Sequence, residues 1–361
     1  MKKWLVFIVL TIATQTTFAA KTIPASADTV IATWPVSRST PVQEAQLATR
    51  MRPADSHAVA QLANAYLREA ALPGHSRFYG LAQAALQPLI NQGTGNADIW
   101  LAWAQVQQHQ HAFKDALAAL EKVKQQQPDN INAHLLAARI FLIQDNADAA
   151  RQSCLILLGN ADLLTASGCA LEVTSFQSDL AQSYQQLASL VEREQLPQDE
   201  RGPWLAQILA DMALRLKNPL AAEKWLDTQR KENASVNLLS QWADVQLALD
   251  QPKKLVQTLQ PIVQGATDVD DALLLRLALA EKKMGGEQWR TELRERITLR
   301  EQRMDNQHAN EIARYYLDID PQPQQALYWA QINWQNAREY SDRELLERAR
   351  ASAAQQQKDN N

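Results

Sequence analysis

The histidines are the side chains of this 361-residue sequence best suited to acid–base or metal chemistry. Two of the six, His109 and His111, stand almost side by side in WAQVQQHQHAFKDAL, and Asp115 is the only carboxylate close to them. Two imidazoles and a carboxylate could bind a transition metal or move a proton. Residues two apart do not share a face of a helix, so only a turn could direct both at one ion. We favour the alternative, in which both are solvated residues of a turn.

No other motif in the sequence indicates catalysis. The metal-binding pattern HExxH, the phosphate-binding patterns GxxxxGK and GxGxxG, and the nucleophile pattern GxSxG are all absent. The acidic pair Asp270 and Asp271 is interpreted as the start of a helix, where negative charge favours the helix dipole. We therefore expect no enzymatic activity, no cofactor and no bound metal.

Composition and charge favour a folded helical chain without a nucleic-acid partner. Hydrophobic residues make up 46% and charged residues 21% of the chain, which is typical of folded soluble proteins. The apolar residues are mainly alanine and leucine, which favour helices. Acids and bases are interspersed at a formal net charge of −4. Because no basic stripe is present to neutralise phosphates, nucleic-acid binding is not expected.

The first residues have the order of a secretory signal peptide. Lys2 and Lys3 precede an apolar run over 4–13, and small residues follow up to Ala19, after which we expect cleavage. An uncleaved anchor is the alternative. Cleavage would change the formal charge from −4 to −6, because Lys2 and Lys3 are lost. No later stretch reaches the roughly 18 apolar residues of a membrane helix, so the mature chain is expected in the periplasm without a membrane span.

Cys154 and Cys169 are the only two cysteines. In an oxidising compartment two cysteines most simply form a disulfide, and free buried thiols are the alternative.

A repeated helical unit organises the chain after residues 20–53, which are interpreted as a linker and N-terminal cap. A 34-residue frame over 97–130 places Trp100 at position 4, Ala104 at 8, Ala116 at 20 and Pro128 at 32. This pattern resembles the tetratricopeptide repeat, although Gln107 occupies position 11, where that repeat usually has tyrosine. The next frame, 131–164, repeats the pattern with Ala138 and Ala150.

The resemblance implies an all-α, right-handed superhelical solenoid of stacked antiparallel helix pairs. Weaker pairs extend the array to roughly eight over 54–352, and 353–361 reads as a polar tail. In such arrays the first helix of each pair lines a concave groove. Positions 2, 5, 9 and 12 of that helix would face a protein or peptide partner. The polar residues that we expect in the groove are Gln105, Gln108, Asn132, Arg139, Asn237 and Asp244.

The cysteine placement resembles secreted tetratricopeptide proteins of proteobacteria that have no assigned activity. The resemblance implies a non-catalytic periplasmic scaffold, which could act in envelope assembly or export. The groove positions lack the Lys, Asn and Arg pattern with which chaperone-binding members hold a terminal carboxylate, so that activity is not expected. The alternative function is a helical enzyme or weak metal-binding protein that uses His109 and His111.

Overall fold

The structure, a computed structural model, describes residues 39–53, 55–230, 233–266 and 268–359. All regular structure in these residues is helical. The helices are α1 (Thr40–Met51), α2 (Ser56–Ala70), α3 (Arg77–Gln92), α4 (Ala97–His109), α5 (Phe113–Gln126), α6 (Ile131–Ile143), α7 (Ala147–Leu157), α8 (Leu163–Gln177), α9 (Leu180–Glu194), α10 (Arg201–Arg215), α11 (Pro219–Asp227), α12 (Val236–Ala248), α13 (Pro252–Gly265), α14 (Asp271–Met284), α15 (Gln288–Gln302), α16 (Ala309–Arg314), α17 (Pro323–Asn336) and α18 (Tyr340–Asp359).

Consecutive helices pack as antiparallel pairs, from α2 with α3 to α16 with α17. A 3-10 turn, Asn306–His308, precedes α16, and a π-helical segment, Tyr315–Ile319, extends it. The described residues thus form an α-solenoid of helix pairs, as the repeat pattern predicts.

The turns inside four of these pairs share one backbone geometry. In each, a non-glycine residue two positions after the first helix has a positive φ, and the next backbone N–H bonds to a carbonyl five residues earlier. The residue with positive φ, in the left-handed (αL) region, reverses the chain direction. The N–H of the residue after it caps a helix carbonyl that would otherwise be unpaired. The αL residues are His111, Asp145, Lys217 and Asp250.

Asparagine side chains define the starts of several helices. The side-chain oxygen accepts a hydrogen bond from the backbone N–H three residues later, as in the 3.0 Å bond from Ile99 N–H to Asn96. Such a cap stabilises a helix by about 1 kcal/mol. The same arrangement occurs at Asn130, Asn146 and Asn218.

Small residues lie where the two helices of a pair approach each other. Ala104 and Ala116, at repeat positions 8 and 20, are completely buried in the α4–α5 pair, and Ala138 and Ala150 are buried in the α6–α7 pair. A larger side chain there would force the helices apart. The alanines of the repeat pattern therefore determine the spacing within a pair.

A disulfide between Cys154 on α7 and Cys169 on α8 confirms the predicted bridge, with a Cα–Cα distance of 5.6 Å. It links the second helix of one pair to the first helix of the next. Closing a loop with a sequence separation of 15 stabilises the folded state by about 3 kcal/mol in the chain-entropy model.

The helical array extends further at both ends than the sequence pattern suggests. Within the segment interpreted as linker and cap, Thr40–Met51 forms α1, whose Val42 is buried against α2 and α3. At the other end, α18 continues to Asp359, seven residues beyond 352. The predicted signal peptide and its cleavage site after Ala19 lie outside the described residues. Buried contacts of Val42 and of Leu345 and Ala353 on α18 explain why polar segments become helical.

The array bends so that distant pairs touch. The loop between α2 and α3 contacts the starts of α12 and α14: Val236 N–H donates to the Ala71 carbonyl oxygen at 2.9 Å, and Gly74 N–H donates to Asp270 Oδ2 at 2.7 Å. We call this contact, made by 71–74 with Val236 and Asp270, the α2–α3 latch.

A second long-range contact joins the α6–α7 turn to the turn before α18. Arg338 N–H donates to the Ile143 carbonyl oxygen at 2.7 Å, and Ala337 is buried in the core around α4, α5 and α6. Arg343 and Asp145 form an exposed ion pair at 3.1 Å. The first three pairs are thus tied to the last three.

Candidate partner-binding cavity

A cavity of about 1110 Å³ lies between these two contacts. Its wall comes mainly from the first helices of the pairs, together with the starts of α14 and α18 and the α2–α3 loop. In α4, α6 and α10, only the C-terminal residues line the cavity, because the array brings the ends of these helices together. Its wall is therefore assembled from residues far apart in the sequence.

Four of the six predicted groove residues line this cavity: Gln108, Arg139, Asn237 and Asp244. Gln105 and Asn132 are not part of its wall. Gln105 lies one turn before Gln108 on α4, and Asn132 is exposed at the beginning of α6. Both precede the helix ends that meet at the cavity, which explains their absence from it.

Arg139 projects into the cavity and links three parts of the chain. Its Nη2 lies 2.7 Å from Glu339 Oε1, in the turn before α18, and its Nη1 lies 3.6 Å from Glu172 Oε1 on α8. Although the side chain of Arg139 is 45% accessible, that of Glu172 is only 14% accessible. Arg139 therefore fixes the second long-range contact from inside the cavity.

Carboxylates outnumber arginines around Arg139. Burial raises the pKa of Glu172 to about 7, against the opposing effect of Arg139, and the charges of Asp211 and Glu339 raise it further. Burial likewise raises the pKa of Glu339, and nearby Asp342 adds to that effect. The cluster can therefore hold a proton near neutral pH, since its carboxylates cannot all ionise cheaply.

Asp244 binds two arginines from the next two first helices. Its Oδ2 lies 2.5 Å from Arg276 Nη2 on α14, and its Oδ1 lies 3.0 Å from Arg314 Nη2 on α16. Burial opposes ionisation of Asp244, but the two guanidinium groups outweigh it and hold its pKa below the usual range. Arg276 also donates to the carbonyl oxygens of Ser240 and Ala272. Asp244 is thus a fixed bridge between three helix pairs.

His109 and His111 line the same cavity, where both are partly buried; His109 ends α4 and His111 lies in the turn that follows. His109 stacks on Tyr79 of α3 with ring centroids 3.3 Å apart, and His111 meets the edge of Phe113. Burial lowers the pKa of His109 to about 4, and the nearby His308 and His111 lower it further. Burial also lowers the pKa of His111, with His308 contributing. These contacts with Tyr79 and Phe113, together with the proximity of His308, leave both rings only partly exposed, and the repeat pattern does not encode them.

The predicted partner of these histidines, Asp115, does not join them. Its side chain is exposed on α5 and outside the cavity wall, whereas His308 approaches from the far end of the chain. Within the described residues no group of three His, Cys, Asp or Glu side chains is arranged to hold a metal ion. The alternative centre of His109, His111 and Asp115 is therefore not assembled.

Sequence reasoning missed the cavity residues that come from α3, from α14 and α16, and from the segments before α16 and at the start of α18. They line the cavity because of the long-range contacts, which leave no mark in a 34-residue pattern. The helix-start prediction for Asp270 was the one usable signal, because that residue occupies the N-cap position of α14 and its side chain accepts the Gly74 bond. The missed cavity residues are Tyr79, Arg276, His308, Arg314, Glu339 and Asp342.

These observations define the class of fold: an all-α solenoid of tetratricopeptide-like helix pairs, whose first helices surround a polar cavity. No helix in the described part of the chain combines the length and hydrophobicity needed to cross a bilayer. No family model and no curated protein matches the chain.

Solved structures resemble the chain at low identity. A tetratricopeptide repeat protein from Parabacteroides merdae aligns over 66% of this chain and 90% of its own, with 14% identity and a TM-score of 0.48. A chain of the APC/C hetero-tetramer Cut9-Hcn1 aligns over 85% of this chain and 52% of its own, with 13% identity and a TM-score of 0.44. This chain thus spans about half of that second chain. The fold assignment rests on the helix pairs, their shared turns and the buried alanines described above.

Proposed function

We propose that this protein is a non-catalytic periplasmic scaffold that binds a protein or peptide partner in its central cavity, in envelope assembly or export. The observation that carries the proposal is the cavity itself, which the first helices line with polar side chains over about 1110 Å³. Arrays of helix pairs use this inner surface to bind extended chains.

The chemistry of the cavity wall supports a polar partner of low net charge. Arg139, Asp244, Arg276 and Arg314 are already paired with one another or with nearby carboxylates. Gln108 and Asn237 also face the cavity, and an amide can both donate to and accept from a peptide backbone. We therefore assign recognition to these amides and structural pairing to the charges.

The location in the periplasm is part of the proposal. It is supported by the signal-like order of residues 1–19 and by the disulfide between α7 and α8, because disulfides persist mainly in oxidising compartments. The proposed secreted proteobacterial type rests on the same two features.

Site-specific photo-crosslinking in living cells tests the partner. A photoreactive residue replaces Asn237, which lines the cavity, or Asn132, which occupies the same position 2 of its own repeat but lies outside the cavity. We expect one defined adduct from position 237 in the periplasmic fraction and none from position 132. Equal adducts at both positions, or none at position 237, would contradict binding in the cavity.

A further inference from the structure

We propose that the α2–α3 latch regulates access to the cavity: separation of 71–74 from Val236 and Asp270 widens the cavity for a partner chain. This inference rests on the proposed function, since it assumes that the cavity is the binding site. The latch residues Ala71, Val236 and Asp270 all belong to the cavity wall, so their separation would widen the cavity directly.

The latch joins helix pairs that are distant in the array. Helix pairs in a solenoid are normally held by their neighbours, and a contact between distant pairs adds to that framework without being needed for it. Two hydrogen bonds, from Val236 N–H to Ala71 O and from Gly74 N–H to Asp270 Oδ2, join the described residues of the latch. Val236 is the first residue of α12, where a backbone N–H has no partner within its own helix. The latch can therefore break while α12 stays folded.

The second long-range contact is the firmer of the two. It combines the bond from Arg338 N–H to the Ile143 carbonyl with buried Ala337 and the ion pair between Arg139 and Glu339. Breaking it would expose apolar surface and separate Glu339 from Arg139. We therefore assign the hinge-like opening to the α2–α3 side of the cavity.

Gly74 is adapted to this close contact. Its φ is +78°, and a Cβ added to it would lie 2.6 Å from the Cβ of Ala266, so a side chain must push the loop away from α13 and α14. Gly93 offers a matched control, because its φ is +67° and nothing lies within 4 Å of an added Cβ. Alanine at either position introduces similar backbone strain, but only Gly74→Ala disturbs the latch.

Amide hydrogen exchange at Val236 measures the latch directly, since the bond to Ala71 is the protection that this N–H has. We expect Gly74→Ala to accelerate exchange at Val236 by roughly tenfold, the effect of a strained contact, and Gly93→Ala to leave it unchanged. Asp270→Ala removes the acceptor for Gly74 N–H without adding strain, and should also accelerate exchange at Val236. Unchanged exchange in both Gly74→Ala and Asp270→Ala would overturn the latch.

Access is measured with a cysteine placed in the cavity by Gln108→Cys, in protein that keeps its native disulfide. We compare its rate of reaction with a polyethylene-glycol maleimide, a flexible chain, and with small N-ethylmaleimide. Gly74→Ala and Asp270→Ala should raise the ratio of the two rates, and Gly93→Ala should not. Faster exchange at Val236 with an unchanged ratio would show that the latch does not control access. Because neither assay needs the partner, their failure is distinct from the absence of a cross-linked adduct at position 237.

Discussion

Glu172 makes the stability of this protein depend on pH in a way that one substitution isolates. Its side chain is only 14% accessible, and its Oε1 lies 3.6 Å from Arg139 Nη1. Glu339 is closer to the same arginine, at 2.7 Å. Burial, followed by the charges of Asp211 and Glu339, raises the pKa of Glu172 from 4.5 to about 7. We predict that Glu172→Gln stabilises the protein at alkaline pH, because glutamine cannot ionise in this site.

The sign and size of the change in the free energy of unfolding follow from proton linkage. A carboxyl whose pKa is higher in the folded state favours folding below its unfolded pKa, and this contribution is lost as the pH rises through the folded pKa. For Glu172 the loss runs from about pH 4.5 to about pH 7. At about 1.4 kcal/mol per pH unit, it amounts to about 3 kcal/mol in the free energy of unfolding.

The assay is urea-induced unfolding, followed by far-UV circular dichroism, at about pH 4, 6 and 8, which spans the linkage window. The free energy of unfolding of Glu172→Gln relative to wild type should rise by about 3 kcal/mol across this range. Titrating groups outside the Arg139 cluster, His109 included, cancel in that difference because both proteins contain them. Glu347→Gln, at an exposed position of α18, is the matched control and should follow wild type.

A difference between Glu172→Gln and wild type that stays constant across the pH range would refute the reasoning. It would mean that Glu172 titrates alike in the folded and unfolded chains, and that Arg139 compensates its burial. A fall of the difference with rising pH would show that the ionised carboxylate stabilises the fold through Arg139.

Three further predictions concern stability. Burial lowers the pKa of His109 from 6.5 to about 4, so this residue destabilises the folded state as the pH falls through that range. His109→Phe should therefore reduce the acid destabilisation measured in unfolding titrations by about 3 kcal/mol. Equal acid sensitivity of the variant and wild type would contradict this prediction. Replacing Cys154 and Cys169 by serine should lower the free energy of unfolding by about 3 kcal/mol, and reductant should then have no further effect on the urea midpoint. Ala104→Leu, at a completely buried position, should destabilise by about 1–3 kcal/mol, whereas Ala118→Leu on the exposed face of α5 should change the urea midpoint little.

The sequence was sufficient for the elements whose determinants are local. Ala104, Ala116, Ala138 and Ala150 repeat at fixed spacing because every helix pair meets the same packing constraint, and the structure buries all four. The bridge between Cys154 and Cys169 could also be predicted from the sequence, because neither cysteine had another cysteine to pair with.

The cavity required information that repeat spacing does not contain. Positions 2, 5, 9 and 12 identify the inner face of one helix, but they do not say which turn of that face meets a distant pair. Gln105 and Gln108 share a face of α4, and only Gln108 reaches the cavity. His109 illustrates the same limit, because its stacking on Tyr79 and its proximity to His308 depend on how far the array bends.

The pairing of charges inside the cavity bears on how a partner would bind there. If Arg139, Arg276 and Arg314 were unpaired, the inner surface would attract acidic chains strongly and lose affinity steeply with salt. Each is instead held by Glu339 or Asp244 within 3.0 Å. A charged partner would have to break these ion pairs and leave a carboxylate buried without its cation, which is costly. A polar chain that bonds to Gln108 and Asn237 avoids that cost, so its affinity should depend on salt only weakly.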